Sequence, residues 1–104
     1  MITEDDGPAG RVVRNDGRSR YELLIDGEVA GFADYRPGRD GVIVFPHTVI
    51  DPDRRGQGLG AVLVRGALDD VRARGETVEP LCWYVARFID ENPDYRPLLG
   101  GSPR

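Results

Sequence analysis

Arg54 and Arg55 run directly into glycines at 56, 58 and 60, in the stretch "DPDRRGQGLG" from Asp51 to Gly60. An apolar, alanine-bearing segment follows at once. Successive backbone N–H groups in such a loop point outward, and the start of a helix adds about half a positive charge. Glycine leaves room for close approach of a phosphate. The two guanidinium groups can add charge-assisted hydrogen bonds at the rim. The chemistry is anion binding. An NTPase P-loop is excluded, because it requires a lysine and all 14 basic residues are arginine. A dinucleotide fingerprint is excluded as well, because its G-x-G-x-x-G spacing is not that of glycines at 56, 58 and 60. What remains is R-x-x-G-x-G, Arg55 through Gly60.

Two further residues have reactive side chains and occur once each, His47 and Cys82. A single cysteine excludes an internal disulfide framework and a cysteine-built zinc site. A single histidine excludes a two-histidine metal site, so no metal is expected. Histidine is the side chain suited to proton transfer near neutrality, and a cysteine can act as a nucleophile once it is a thiolate. A lone cysteine is also often an inert, buried apolar residue. The formal net charge of -4 disfavours nucleic-acid binding, since no basic stripe offsets the acidic balance. No run approaches the ~20 apolar residues of a membrane span. The N-terminal "MITEDDGPAG" is acidic and has no apolar core, so the expected location is the cytoplasm. Arginine without lysine points to a GC-rich bacterial genome.

The elements that must position these groups follow from the pattern. The length of 104 residues predicts one domain over 1–104, with loose termini at 1–10 and 100–104. "RVVRN" from Arg11 to Asn15 and "YELLI" from Tyr21 to Ile25 read as strands joined by the turn "DGRS". Asp26-Gly27 is a hairpin signal. It leads to a return strand from Glu28 to Tyr35, with Val29, Gly31 and Ala33 on one face. "GVIVF" from Gly41 to Phe45 is β-branched and central. Pro46 cannot donate to a ladder, and "HTVI" extends the strand past it. Gly60, Leu63, Val64, Ala67, Leu68 and Val71 then form one stripe of an amphipathic helix, closed by Gly75. "TVEPLC" is a further strand. Trp83 to Asn92 reads as a second helix, with Val85, Phe88 and Ile89 inward. An antiparallel meander feeding a β-α-β-α end predicts an α/β fold with a mixed, mostly antiparallel sheet and two helices.

The ordered set "HT", "RRGQGLG", alanine-rich helix, "PLCWY" and "NPDY" resembles the small single-domain GNAT-like N-acetyltransferases, over roughly Ile25 to Leu99. The resemblance implies a minimal GNAT-like fold with splayed central strands. It implies acetyl-CoA as acyl donor, an amine acceptor (small molecule, protein or peptide), and a monomer or weak homodimer. The backbone from Arg55 through Gly56, Gln57, Gly58 and Leu59 to Gly60, with Arg54, would hold the pyrophosphate of coenzyme A. The splayed strand at Pro46–Val49, with Thr48 and Val49, would hydrogen-bond the pantetheine arm, and Asn92 would reach the coenzyme or cap its helix. Cys82 would sit near the thioester as a candidate nucleophile, although direct attack by the amine requires no cysteine. His47 would deprotonate the acceptor, partner Cys82, or pin the bulge structurally. Related sequences often carry a glutamate or tyrosine two residues after this histidine, where this chain has Val49. Tyr84 is a possible general acid, Trp83 a packing anchor, and Asp69-Asp70 a solvated pair. Members of the wider superfamily carry helices between their first strands, where this chain has only "DGRS". The acceptor site is therefore expected to be open and shallow. The alternative reading is a coenzyme A-binding module or sensor with little catalysis.

Overall fold

The computed structural model describes residues 10–54 and 56–99. The loose arm and tail expected at 1–9 and 100–104, and Arg55, lie outside the described residues. The strands are β1 (Arg11–Asn15), β2 (Arg20–Ile25), β3 (Glu28–Pro37), β4 (Val42–Ile50) and β5 (Thr77–Pro80). The helices are α1 (Leu59–Ala73) and α2 (Trp83–Glu91), with short 3-10 turns at Arg39–Gly41, Pro52–Arg54 and Pro93–Leu98. The five strands form one sheet in the order β1-β2-β3-β4-β5. β1 to β4 are antiparallel neighbours, and β5 lies parallel to β4. A parallel pair needs a long crossover, and α1 is that crossover. The expected mixed α/β fold with two α-helices is observed.

The apolar stripe of α1 does what its period predicts. Leu63, Val64, Ala67, Leu68 and Val71 are buried against Tyr21, Leu23, Ala33, Ile43, Phe45 and Val78 of the sheet. At its far end Gly75 has φ 73°. The amides of Gly75 and Glu76 donate to the carbonyls of Arg72 and Val71, both at 3.0 Å. This double closure satisfies two carbonyls that would otherwise be orphaned. In α2 the inward residues are Val85, Phe88 and Ile89, as the spacing predicts.

β3 departs from the expected alternation. Gly31 and Ala33 do face the core side, but Val29 is 43% exposed and Ala30 is fully buried. The cause is a bulge. Leu23 pairs with Gly31 and Leu24 with Val29, so Ala30 is an extra residue that reverses the faces before it.

A second irregularity shapes the site. On β3 Asp34 pairs with His47 and Arg36 with Val44, so Phe45 and Pro46 of β4 together oppose the single residue Tyr35. A bulge tolerates a residue without N–H. The pairing of β4 with β5 also stops here, at Phe45 opposite Pro80. Beyond this point β4 runs on to Ile50, while β5 has ended at Pro80 and the chain turns into α2. The final link is the Cys82 amide, which donates to the Phe45 carbonyl at 2.8 Å.

Candidate active site

The split between β4 and β5 opens into a cleft of about 550 Å³. Its walls come from β4 (Pro46, His47, Thr48, Ile50), from the start of α1 with its approach (Arg54, Gly56, Gly58, Leu59, Gly60), and from the start of α2 with its approach (Leu81 to Tyr84). Distant parts of the sequence thus converge on one space because the crossover returns β5 beside β4.

The bulge decides which β4 side chains enter. Strict alternation would place Phe45 and Thr48 on opposite faces. With Pro46 as the extra residue, Phe45 stays in the core and Thr48 still turns toward Cys82. The Cys82 thiol donates to the Thr48 hydroxyl at 3.6 Å. His47 points the other way. Its Nε2 lies 2.6 Å from an oxygen of Asp34, its cross-strand partner on β3. Asp34 stands between Ala33 and Tyr35, both buried, so its side chain lies on the sheet face opposite the helices. Cys82 and His47 therefore line the same cleft but have different partners. Among the described residues no hydrogen bond joins them.

The glycine loop has the form of an anion cradle. Gly56 and Gly58 have φ 85° and 73°, a region that favours glycine, and among the described residues, chain neighbours aside, no atom lies within 4 Å of where a Cβ would stand on either. Gly58 is the N-cap of α1 and offers no side-chain cap; no acidic residue occupies the first turn. The leading amides of a helix have no intrahelical partners, and among the described residues no side-chain anion caps them. Gly60 has a different role. A Cβ there would meet the Tyr84 hydroxyl at 2.7 Å, so this glycine makes room for the Tyr84 ring.

Other expected residues sit as follows. The Arg54 guanidinium contacts Glu28 at 3.3 Å and Asp51 at 3.8 Å, on the cleft wall. Gln57 and Val49 are exposed and do not line the cleft. Neither does Asn92, whose Nδ2 donates to the Phe88 carbonyl at 2.8 Å and finishes α2. Trp83 is not a packing anchor. It is 69% exposed on the cleft rim, since α2 buries the face carrying Val85, Phe88 and Ile89. The Asp69-Asp70 pair does more than face solvent: Asp69 accepts from the Tyr95 hydroxyl and Asp70 from the Tyr21 hydroxyl, both at 2.7 Å. Asp34, Ile50 and Leu81 were not singled out from the sequence; only the register across β3 and β4 brings Asp34 to His47. Burial, then the bond to Asp70, pushes the Tyr21 phenol up. Burial likewise raises Tyr35 and Tyr95.

A split parallel pair beside an uncapped helix N-terminus is the arrangement implied by the resemblance, and comparison with known proteins agrees. The family profile described as GCN5-related N-acetyl-transferase matches residues 20–98. The chain belongs to the GCN5-related N-acetyltransferase family. The match runs from β2 to the 3-10 turn after α2. Protein NATD1 of Bos taurus is 33% identical over 52 residues, 50% of this chain and 46% of that protein. NATD1 of Homo sapiens is 31% identical over 52 residues, with 50% and 46% covered. The aligned part of the chain thus spans about half the length of the curated relatives it matches. The NMR structure of a GCN5-like protein from Staphylococcus aureus superposes with a TM-score of 0.66 at 15% identity, covering 90% of this chain and 91% of that one. The likeness is one of fold. Family and fold support an acyltransferase-type function.

Proposed function

We propose that this protein transfers an acetyl group from acetyl-CoA to an amine. The observation that carries the reading is the uncapped N-terminus of α1, with Gly56 and Gly58 open before it, at one end of a cleft that runs into the β4–β5 split. The pyrophosphate would lie on the amides from Gly56 to Gly60, where the helix dipole favours an anion. The pantetheine arm would run along β4 at Pro46–Thr48, where β5 has left the ladder. The thioester would then lie near Thr48, Cys82 and His47.

Direct transfer suits this arrangement better than an acyl-cysteine. The thiol of Cys82 donates to the hydroxyl of Thr48, which is no base, and no histidine contacts its sulfur among the described residues. In the direct route the amine nitrogen attacks the thioester carbonyl and the C–N bond forms. The C–S bond breaks, and the coenzyme leaves as a thiolate that takes up a proton. The amine gives up a proton to His47, a residue of the cleft lining whose exposed ring faces Asp34 on the open side of the sheet. The exposed face around His47 and Val49 leaves the acceptor side open.

Calorimetric titration with acetyl-CoA, free coenzyme A and ATP tests the reading. Both coenzymes bind and ATP does not. Absence of binding by either coenzyme overturns the proposal. Coenzyme binding without turnover on any amine would identify a coenzyme-binding module instead.

A further inference from the structure

The pairing of His47 with Asp34 has no counterpart in the glycine loop or the acyl slot. A ring nitrogen and a carboxylate oxygen 2.6 Å apart form a close ion-pair contact, and a proton on the ring nitrogen is what relieves the repulsion of two facing lone pairs. The proposal places that proton on Nε2 of His47. In the neutral ring Nδ1 is then the free base, and among the described residues it has no hydrogen-bond partner. Asp34 is available for this task because its neighbours are otherwise engaged. Arg20, its cross-strand partner on β2, contacts Glu22 at 2.9 Å and lies over the Phe32 ring at 4.3 Å. Asn15 in turn donates to Glu22. Among the described residues His47 is the one side chain in ion-pair contact with Asp34.

We propose that Asp34 is a positioning residue that fixes His47 with Nδ1 as the base presented to the acceptor amine. The proposal rests on the acetyltransferase reading for its chemistry. As the C–N bond forms and the C–S bond breaks, the amine proton passes to Nδ1. The Asp34 carboxylate stays ionised and faces the imidazolium that results, which stabilises the charge where it appears. The bulge at Phe45-Pro46 is what turns His47 to the Asp34 face while leaving it on the cleft wall.

The test uses the full chain, in which His47 is the sole histidine, so its imidazole resonances need no assignment. Nitrogen-15 correlation spectra of the neutral ring read the tautomer. The native protein shows Nε2–H alone, and Asp34→Ala shows a mixture of tautomers. Identical tautomer ratios in the two proteins overturn the proposal. Thiol release from acetyl-CoA, with ethanolamine as amine probe, supplies the second reading. Asp34→Asn lowers kcat by about tenfold or more and leaves KM for acetyl-CoA unchanged, and Asp34→Glu restores part of the rate. Equal kcat in native protein and Asp34→Asn, or a loss confined to KM, also overturns it. If the native protein neither binds acetyl-CoA nor releases thiol, the acetyltransferase reading fails, and the tautomer ratio still decides whether Asp34 fixes the ring.

Discussion

Gly60, the second residue of α1, faces the ring of Tyr84 so closely that a methyl group placed on it would meet the phenolic oxygen at 2.7 Å and two ring carbons at 2.9 and 3.1 Å. A phenol ring cannot yield by rotating its end, so the whole side chain must move. Alanine at an exposed helical site gains up to about 1 kcal/mol over glycine, which offsets part of the strain. Gly60→Ala therefore keeps the fold but displaces Tyr84 into the cleft and weakens coenzyme A binding. The double variant Gly60→Ala with Tyr84→Ala recovers most of that loss. Calorimetry on the four proteins gives the coupling between the two sites, and additive effects would show that they do not interact.

Gly58 separates strain from binding. Its φ is 73° and among the described residues nothing beyond its chain neighbours lies within 4 Å of its absent Cβ, so a side chain there costs backbone strain of about 1–2 kcal/mol without a steric clash. Gly27, in the β2–β3 turn, has φ 81° and the same open surroundings, but lies outside the cleft. Gly58→Val and Gly27→Val should both lower the melting temperature by several degrees. Only Gly58→Val should abolish coenzyme A binding. Equal affinity in the two variants would remove the pyrophosphate from this loop.

The helix stripe, the antiparallel meander and the run of glycines before α1 were legible because each is written locally. A 3.6-residue period, a hairpin dipeptide and a glycine-rich approach to a helix need no knowledge of distant contacts. The two bulges were not legible in full. Pro46 marks an irregularity, but that Phe45 and Pro46 together oppose Tyr35 is set by pairing with β3. Ala30 carries no mark at all, and its bulge exposes Val29. The same register brings Asp34 to His47. Trp83 misleads for a related reason: its size suggests a core, yet the buried face of α2 is already filled by Val85, Phe88 and Ile89. The tyrosine anchors on Asp69 and Asp70 were likewise hidden, because they join residues 26 and 49 apart in sequence.

Those tyrosines predict the alkaline limb of stability. Burial first, and then the bond to Asp70, pushes the Tyr21 phenol up. Burial first, and then the bond to Asp16, raises Tyr35, while Tyr95 is raised by burial and its bond to Asp69. A phenol whose folded value lies above the unfolded value of about 10 favours the fold fully below that pH. The contribution is lost as pH rises toward the folded value. Urea unfolding from pH 7 to 11 should show stability holding up to about pH 10 and falling beyond it. Tyr21→Phe should cost about 1 kcal/mol at pH 7 through its lost hydrogen bond and should flatten the alkaline fall. An unchanged alkaline slope would show that Tyr21 is not among the groups responsible.

Cys82 decides between the two chemical routes. It is buried at the start of α2, its thiol donating to Thr48 and its amide tying α2 to the Phe45 carbonyl. Alanine keeps the amide and removes one buried sulfur, at a cost of about 1 kcal/mol. Direct transfer to an amine therefore predicts that Cys82→Ala retains kcat to within a factor of a few. Mass spectrometry of the native protein stopped during turnover should then find no acetyl group on Cys82. An acyl-cysteine route predicts the opposite on both counts. The variant would lose most of its activity while still binding acetyl-CoA, and the native protein would carry the acetyl group on sulfur. That result would make Thr48 the partner of a nucleophile and would require a base to reach the thiol during the reaction.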